Sequence, residues 1–164
     1  MILRELSEAI GVSSAEDAVR DLIYQHIRDY VEDARVDALG NLLAVRRGTG
    51  AVDLRVMAAA HLDEVGMIVT GYDSDGTLRF RAVGGLDARI LPGARVLVGR
   101  DCIPGVIGWT PIHLNKSKDA VSIERLRIDI GASNRDAAQN AVERGELVAF
   151  DSRFVELGPT VRGK

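Results

Sequence analysis

Apolar residues recur every three or four positions through the first thirty residues and every second position through much of the rest, and this change of period divides the chain. Leu3, Leu6 and Ile10 fall on one helical face, with Gly11 as a stop. A second stripe, Val19, Leu22, Ile23, Ile27 and Tyr30, predicts an amphipathic helix whose other side carries Glu16, Asp17, Arg20, Asp21 and Arg28. That helix opens at Ser13-Ser14-Ala15-Glu16, where the Ser-x-x-Glu spacing predicts a capping box. Short strands are expected at 34–36, 42–46 and 54–60, separated by the turn residues Leu39-Gly40-Asn41 and Gly48-Thr49-Gly50.

From Val65 onward no helical period appears for roughly seventy residues, and period-two strands alternate with Gly, Pro and Asp turns. Segments 65–71 and 77–83 flank Asp73-Ser74-Asp75-Gly76, a hairpin signal, with Leu78, Phe80 and Ala82 on one face. Further strands are predicted at 95–98, 103–108 and 125–130, where Leu126, Ile128 and Ile130 alternate with Arg127 and Asp129. Such spacing implies a small barrel or sandwich. Ser133-Asn134-Arg135-Asp136 should cap a helix running to Gly145, and a strand at 147–151 precedes the tail. The change of texture at about residue 65 marks a domain boundary between a helix-then-sheet layer and a β-rich segment.

Composition narrows the partners more than the fold. The 164 residues, 46% hydrophobic and 27% charged, suit one domain or two small ones. A formal charge of −3 without a Lys/Arg-rich block argues against nucleic acid or an anionic membrane as partner. There is no run long enough for a membrane span and no signal-peptide core at Met1-Ile2-Leu3-Arg4, so the expected compartment is cytoplasmic. The lone Cys102 excludes an internal disulfide, and with no histidine near it in sequence it is expected to be inert.

The sharpest chemical signal is Met57-Ala58-Ala59-Ala60-His61-Leu62-Asp63-Glu64, an apolar run ending in a histidine and two acids. A polar cluster at the carboxyl end of a buried strand is where open α/β sheets place their sites. His61 can bind a metal, and Asp63 can accept its other ring N–H and fix the tautomer. One ligand makes no site, because a catalytic zinc needs about three from the protein.

These segments, taken in order, resemble the tetrahedral metallo-aminopeptidases, the family of glutamyl and deblocking aminopeptidases that has also carried endoglucanase (cellulase) labels. Gly11-Val12-Ser13-Ser14-Ala15-Glu16 is similar to the family's Gly-Pro-Ser-Gly-x-Glu, and Asp37-Ala38-Leu39-Gly40-Asn41-Leu42 to its Asp-x-x-Gly-Asn-Leu. Ala60-His61-Leu62-Asp63-Glu64-Val65-Gly66 resembles its Ala-His-Met-Asp-Glu-Ile-Gly metal motif. Leu78-Arg79-Phe80 with Val83-Gly84-Gly85, Gly105-Val106-Ile107-Gly108 with Pro111-Ile112-His113-Leu114, and Ile128-Asp129-Ile130-Gly131-Ala132-Ser133 resemble its lid signatures. Val12 for proline, Ser14 for glycine and a short loop at Asn115-Lys116-Ser117-Lys118 depart from the pattern at turns.

The resemblance implies a partial zinc-exopeptidase-type α/β domain (1–64) interrupted by a β-rich, barrel-like lid that dimerises (65–162), with 163–164 starting the return. It implies two divalent metal ions, zinc or cobalt, with His61 a ligand of one and Asp63 the catalytic-site acid that orients it. The bridging aspartate, the general-base glutamate and the other ligands are expected beyond Lys164, so the isolated chain is expected to be inactive. Short peptides are the implied substrates, and the implied assembly is a homodimer through the lid within a dodecamer. A rival reading is a non-catalytic binding or assembly module acting through the lid; a glycanase finds no spaced carboxylate pair.

Other residues carry weaker expectations. Glu64 reads as a solvated strand-end acid and His26 as a core-edge residue. Asp87, Arg89 and His113 either line a pocket under the lid or are solvated loop groups. Asp129 is expected to pair with Arg127 or a neighbouring strand, and Trp109 to sit in a lid contact or inside the barrel.

Overall fold

The computed structural model describes residues 2–50, 54–109 and 121–164. The chain divides into two compact units, Met1–Asp63 with Arg153–Lys164, and Glu64–Ser152. The first unit opens with α1 (Ile2–Glu8) and α2 (Asp17–Ile27), followed by a 3₁₀ turn at Arg28–Tyr30. Val19 is buried on the predicted stripe of α2, whereas Leu22, Ile23 and Ile27 are only half-buried. Strands β1 (Asp33–Val36) and β2 (Leu42–Val45) form an antiparallel pair with Val36 opposite Leu42.

Two expectations fail in this unit. The capping box does not form: Glu16 is the N-cap without a side-chain cap, and its Oε1 accepts the N–H of Ser14 at 2.6 Å, because the Ser13 side chain is engaged elsewhere. Nor is 54–60 a strand; Leu54, Val56 and Met57 are 76%, 81% and 89% exposed. A strand is made by the neighbour that satisfies its N–H and C=O groups, and among the described residues no strand pairs with this one.

The second unit is a closed six-stranded barrel. Its strands are β3 (Gly66–Tyr72), β4 (Leu78–Val83), β5 (Arg95–Val98), β6 (Ile103–Gly108), β7 (Arg127–Asp129) and β8 (Leu147–Phe150), in the order β3-β4-β7-β6-β5-β8 with β8 returning to β3. Period-two patterning dictates the interior: Leu78 and Phe80, Val96 and Val98, Ile107, and Leu126 and Ile128 all point inward and are buried. Closure leaves no free edge on this unit's barrel. Trp109 is half-buried against this core. Arg127 pairs with Asp73 in the β3–β4 turn and not with Asp129, whose Oδ1 instead accepts the N–H of Gly131 at 2.8 Å.

Asn134 caps α3 (Arg135–Ala141), its Oδ1 accepting from the Ala137 N–H at 2.9 Å. The helix stops before Gly145 because Val142 turns to an extended conformation and is buried in the core at 1% exposure. His113 and the loop 115–118 lie outside the described residues.

The chain rejoins the first unit at Arg153, earlier than the lid limit of 162 expected from the sequence, through the hairpin of β9 (Val155–Leu157) and β10 (Thr160–Arg162). Arg4 of α1 holds it there. Its guanidinium lies 4.6 Å from the ring centre of buried Phe154 and donates to Glu156 at 2.8 Å, while Glu8 accepts the Phe154 N–H at 3.1 Å. Among the described residues no helix is long and apolar enough to cross a membrane.

Candidate functional site

The candidate residues His61 and Asp63 meet Ser13 in the segment that leads into α2. Gly11 allows it: a Cβ there would lie 2.6 Å from Val19 Cγ2 and 3.5 Å from the Leu62 carbonyl, so the bare backbone lets the 61–63 segment approach α2. Asp63 is then bound from both sides. Its Oδ2 accepts the Ser13 hydroxyl at 2.5 Å, and its Oδ1 lies 3.1 Å from Nδ1 of His61. The same Nδ1 is 2.9 Å from the Asp63 main-chain carbonyl.

Both groups facing Nδ1 are acceptors, so Nδ1 carries a proton, and in the neutral ring the lone pair is then on Nε2. That tautomer is the one a metal-binding imidazole needs when it binds through Nε2. The Asp63 carboxyl is lowered below the usual aspartate value, chiefly by the Ser13 hydroxyl and further by its own backbone N–H and by His61. It is therefore a carboxylate at neutral pH. The His61 side chain is 85% exposed, so no packing confines the ring.

His61 and Asp63 stand on the wall of a cleft of about 410 Å³ whose other sides include Glu16, Ile23, Ile27 and Asn41. A tight turn supplies the Asn41 side. Asp37 Oδ1 accepts the N–H groups of Leu39 and Asn41, each at 2.9 Å, and Oδ2 accepts the Asn41 side-chain amide at 2.9 Å. These bonds, led by the Asn41 side chain, lower the Asp37 carboxyl. Gly40 closes the turn at φ +86°, and its carbonyl accepts from Arg20 of α2 at 3.2 Å.

The remaining candidates lie apart from this cleft. His26 Nε2 is 2.9 Å from Glu5 Oε2 on the exposed α1–α2 surface, and that hydrogen bond lowers the Glu5 carboxyl. Asp87 and Arg89 hold each other in one exposed turn, and that arginine draws the Asp87 carboxyl down to about 2. Cys102 is exposed in a turn with φ +52°. Among the described residues no three His, Cys, Asp or Glu side chains converge as a metal-binding group. Sequence reasoning found His61 and Asp63 but missed Ser13, whose partner is fifty residues away; the Asp37–Asn41 turn was available from its Asp-x-x-Gly-Asn spacing.

The M42 glutamyl aminopeptidase family matches residues 40–164. The chain belongs to that family. It is similar to the lysyl aminopeptidase of Pyrococcus furiosus, 31% identical over 164 residues that cover 95% of this chain and 46% of that protein. A structure solved as an endoglucanase from Thermotoga maritima is 40% identical, with a TM-score of 0.83 over 99% of this chain and 48% of that one. The TET1 peptidase of Pyrococcus horikoshii, described as able to assemble into a tetrahedron or a large octahedral shell, is 35% identical with a TM-score of 0.82 over 96% of this chain and 48% of that one. This M42 chain spans about half the length of the relatives it matches.

Proposed function

We propose that residues 1–164 are the amino-terminal portion of a cytoplasmic, divalent-metal-dependent aminopeptidase that removes amino-terminal residues from short peptides. One observation carries the reading: Nδ1 of His61 is tied to acceptors, which leaves Nε2 as the ring atom presented, solvent-exposed, on the wall of a cleft. That donor suits zinc or cobalt as one ligand of a larger set, with Asp63 orienting it. Two such cations would supply Lewis-acid chemistry, polarising a peptide carbonyl and lowering the pKa of a bound water. The chain's own contribution is narrower. His61 offers one ligand atom, Asp63 keeps the ring proton on Nδ1, and the cleft holds space beside them.

The remaining ligands and the general base belong to the half of the relatives' length that this chain does not span, which is why residues 1–164 alone are inactive in this reading. Exposed, apolar 54–60 is then an interior strand of the complete catalytic domain, and Glu64–Ser152 its lid and dimerisation domain. Joining 1–164 to the carboxyl-terminal half of the Pyrococcus furiosus lysyl aminopeptidase tests this. The chimera should release nitroaniline from aminoacyl-nitroanilides with zinc or cobalt and lose that turnover on His61→Ala, while 1–164 alone should give none. A folded chimera without turnover, or turnover that survives His61→Ala, refutes the proposal.

A further inference from the structure

We propose that Ser13 is a positioning residue for His61, acting through Asp63 to hold the imidazole so that Nε2 faces outward. The inference rests on the reading of His61 as a metal ligand. It begins from a local rule the chain breaks. Ser13 and Glu16 have the spacing of a capping box, yet the Ser13 hydroxyl leaves the helix end and donates to Asp63, fifty residues on, at 2.5 Å. The turn that aims it is held by Ala15 N–H to the Val12 carbonyl at 2.8 Å and places Ser14 at φ +77°, a left-handed conformation that a residue with a Cβ rarely adopts. The Ser14 N–H, bonded to Glu16 Oε1 at 2.6 Å, fastens that conformation.

Geometry gives this diversion its consequence. A carboxylate tethered at one oxygen swings about its terminal torsion; Asp63 is tethered at both, Oδ2 by Ser13 and Oδ1 by His61, so its plane is set. The His61 side chain, 85% exposed, has no packing to hold it, and its orientation comes from the bonds at Nδ1. Remove the Ser13 hydroxyl and the carboxylate loses its Oδ2 tether, so its plane is no longer fixed and its hold on the ring weakens relative to that of the main-chain carbonyl. Partners that orient a metal-binding histidine are worth about 10- to 100-fold in metal affinity.

Long-range proton–nitrogen NMR of the ¹⁵N-labelled chain reads the His61 tautomer directly. The chain should show mainly the Nδ1–H form, and Ser13→Ala should measurably lower its share with the backbone amide resonances unmoved. Ser13→Thr and Ser13→Val share a shape and differ in the hydroxyl; threonine should preserve the tautomer and valine should not. Cobalt titration supplies the second arm, read as broadening of the His61 signals, and its midpoint should rise about tenfold in Ser13→Ala. An unchanged tautomer in both Ser13→Ala and Ser13→Val overturns the proposal. If the tautomer shifts as expected but cobalt never reaches His61, positioning by Ser13 stands and the metal-ligand reading falls.

Discussion

Replacing Ile128 by alanine should remove a large share of the barrel's stability. Ile128 is fully buried in β7, directly opposite Leu78 of β4 and Ile107 of β6, both also fully buried. The substitution deletes three carbons, which at about 0.8 kcal/mol each amounts to about 2.4 kcal/mol of lost transfer energy. Relaxation is restricted because the flanking residues sit on strands hydrogen-bonded to β7, and the Ile128 Cγ2 lies against the backbone at Gly105, where no side chain can swing in. If about 40 Å³ of cavity survives, a further ~1 kcal/mol is lost at about 24 cal/mol per Å³. The expected total is about 3.4 kcal/mol. Urea unfolding followed by fluorescence of the single tryptophan, Trp109, which packs on this core, measures it. Ile128→Val should cost about 1 kcal/mol, and Val106→Ala on the outward face of β6, 46% exposed, less than about 1 kcal/mol. A loss below about 1.5 kcal/mol for Ile128→Ala, or an equal loss for Val106→Ala, would refute the assignment of the barrel interior.

Three further outcomes are expected. Gly40→Ala should destabilise the first unit by about 1–2 kcal/mol, because a Cβ is strained at φ +86° and meets Arg20 Nη1 at 3.2 Å; an unchanged melting temperature would contradict the turn geometry. The Asp87 carboxyl should titrate near pH 2 by carbon-detected NMR and return toward 3.8 in Arg89→Gln. Since its folded value is depressed, the stabilisation it provides is fully present above pH 3.8 and is lost as pH falls through about 2; a midpoint at the ordinary value in the unmutated chain would exclude the Asp87–Arg89 pair in solution. Light scattering over a dilution series should give a dimer if the second unit is the dimerisation element, and a strictly monomeric mass at micromolar concentration would count against that role.

Particular residues mark the line between what pattern alone determined and what required three dimensions. Leu78 and Phe80, and Leu126 and Ile128, were assigned inward from alternation, and they are buried, because period two in a closed barrel has one possible inside. The Asn134 cap and the Asp73–Gly76 hairpin were legible for the same local reason: the residues that make each turn lie within it. His61 and Asp63 were readable because they are two positions apart and the bond between them is short-range. Three failures are long-range. Arg127 chose Asp73, 54 positions away in sequence, over Asp129; Ser13 chose Asp63 over its own helix; and 54–60, read as a strand from its apolar run, has no strand beside it among the described residues. Alternation records which side of a segment is apolar. Hydrogen bonds between distant segments depend on which partner the packed chain brings within about 3 Å, and that distance exists only after folding.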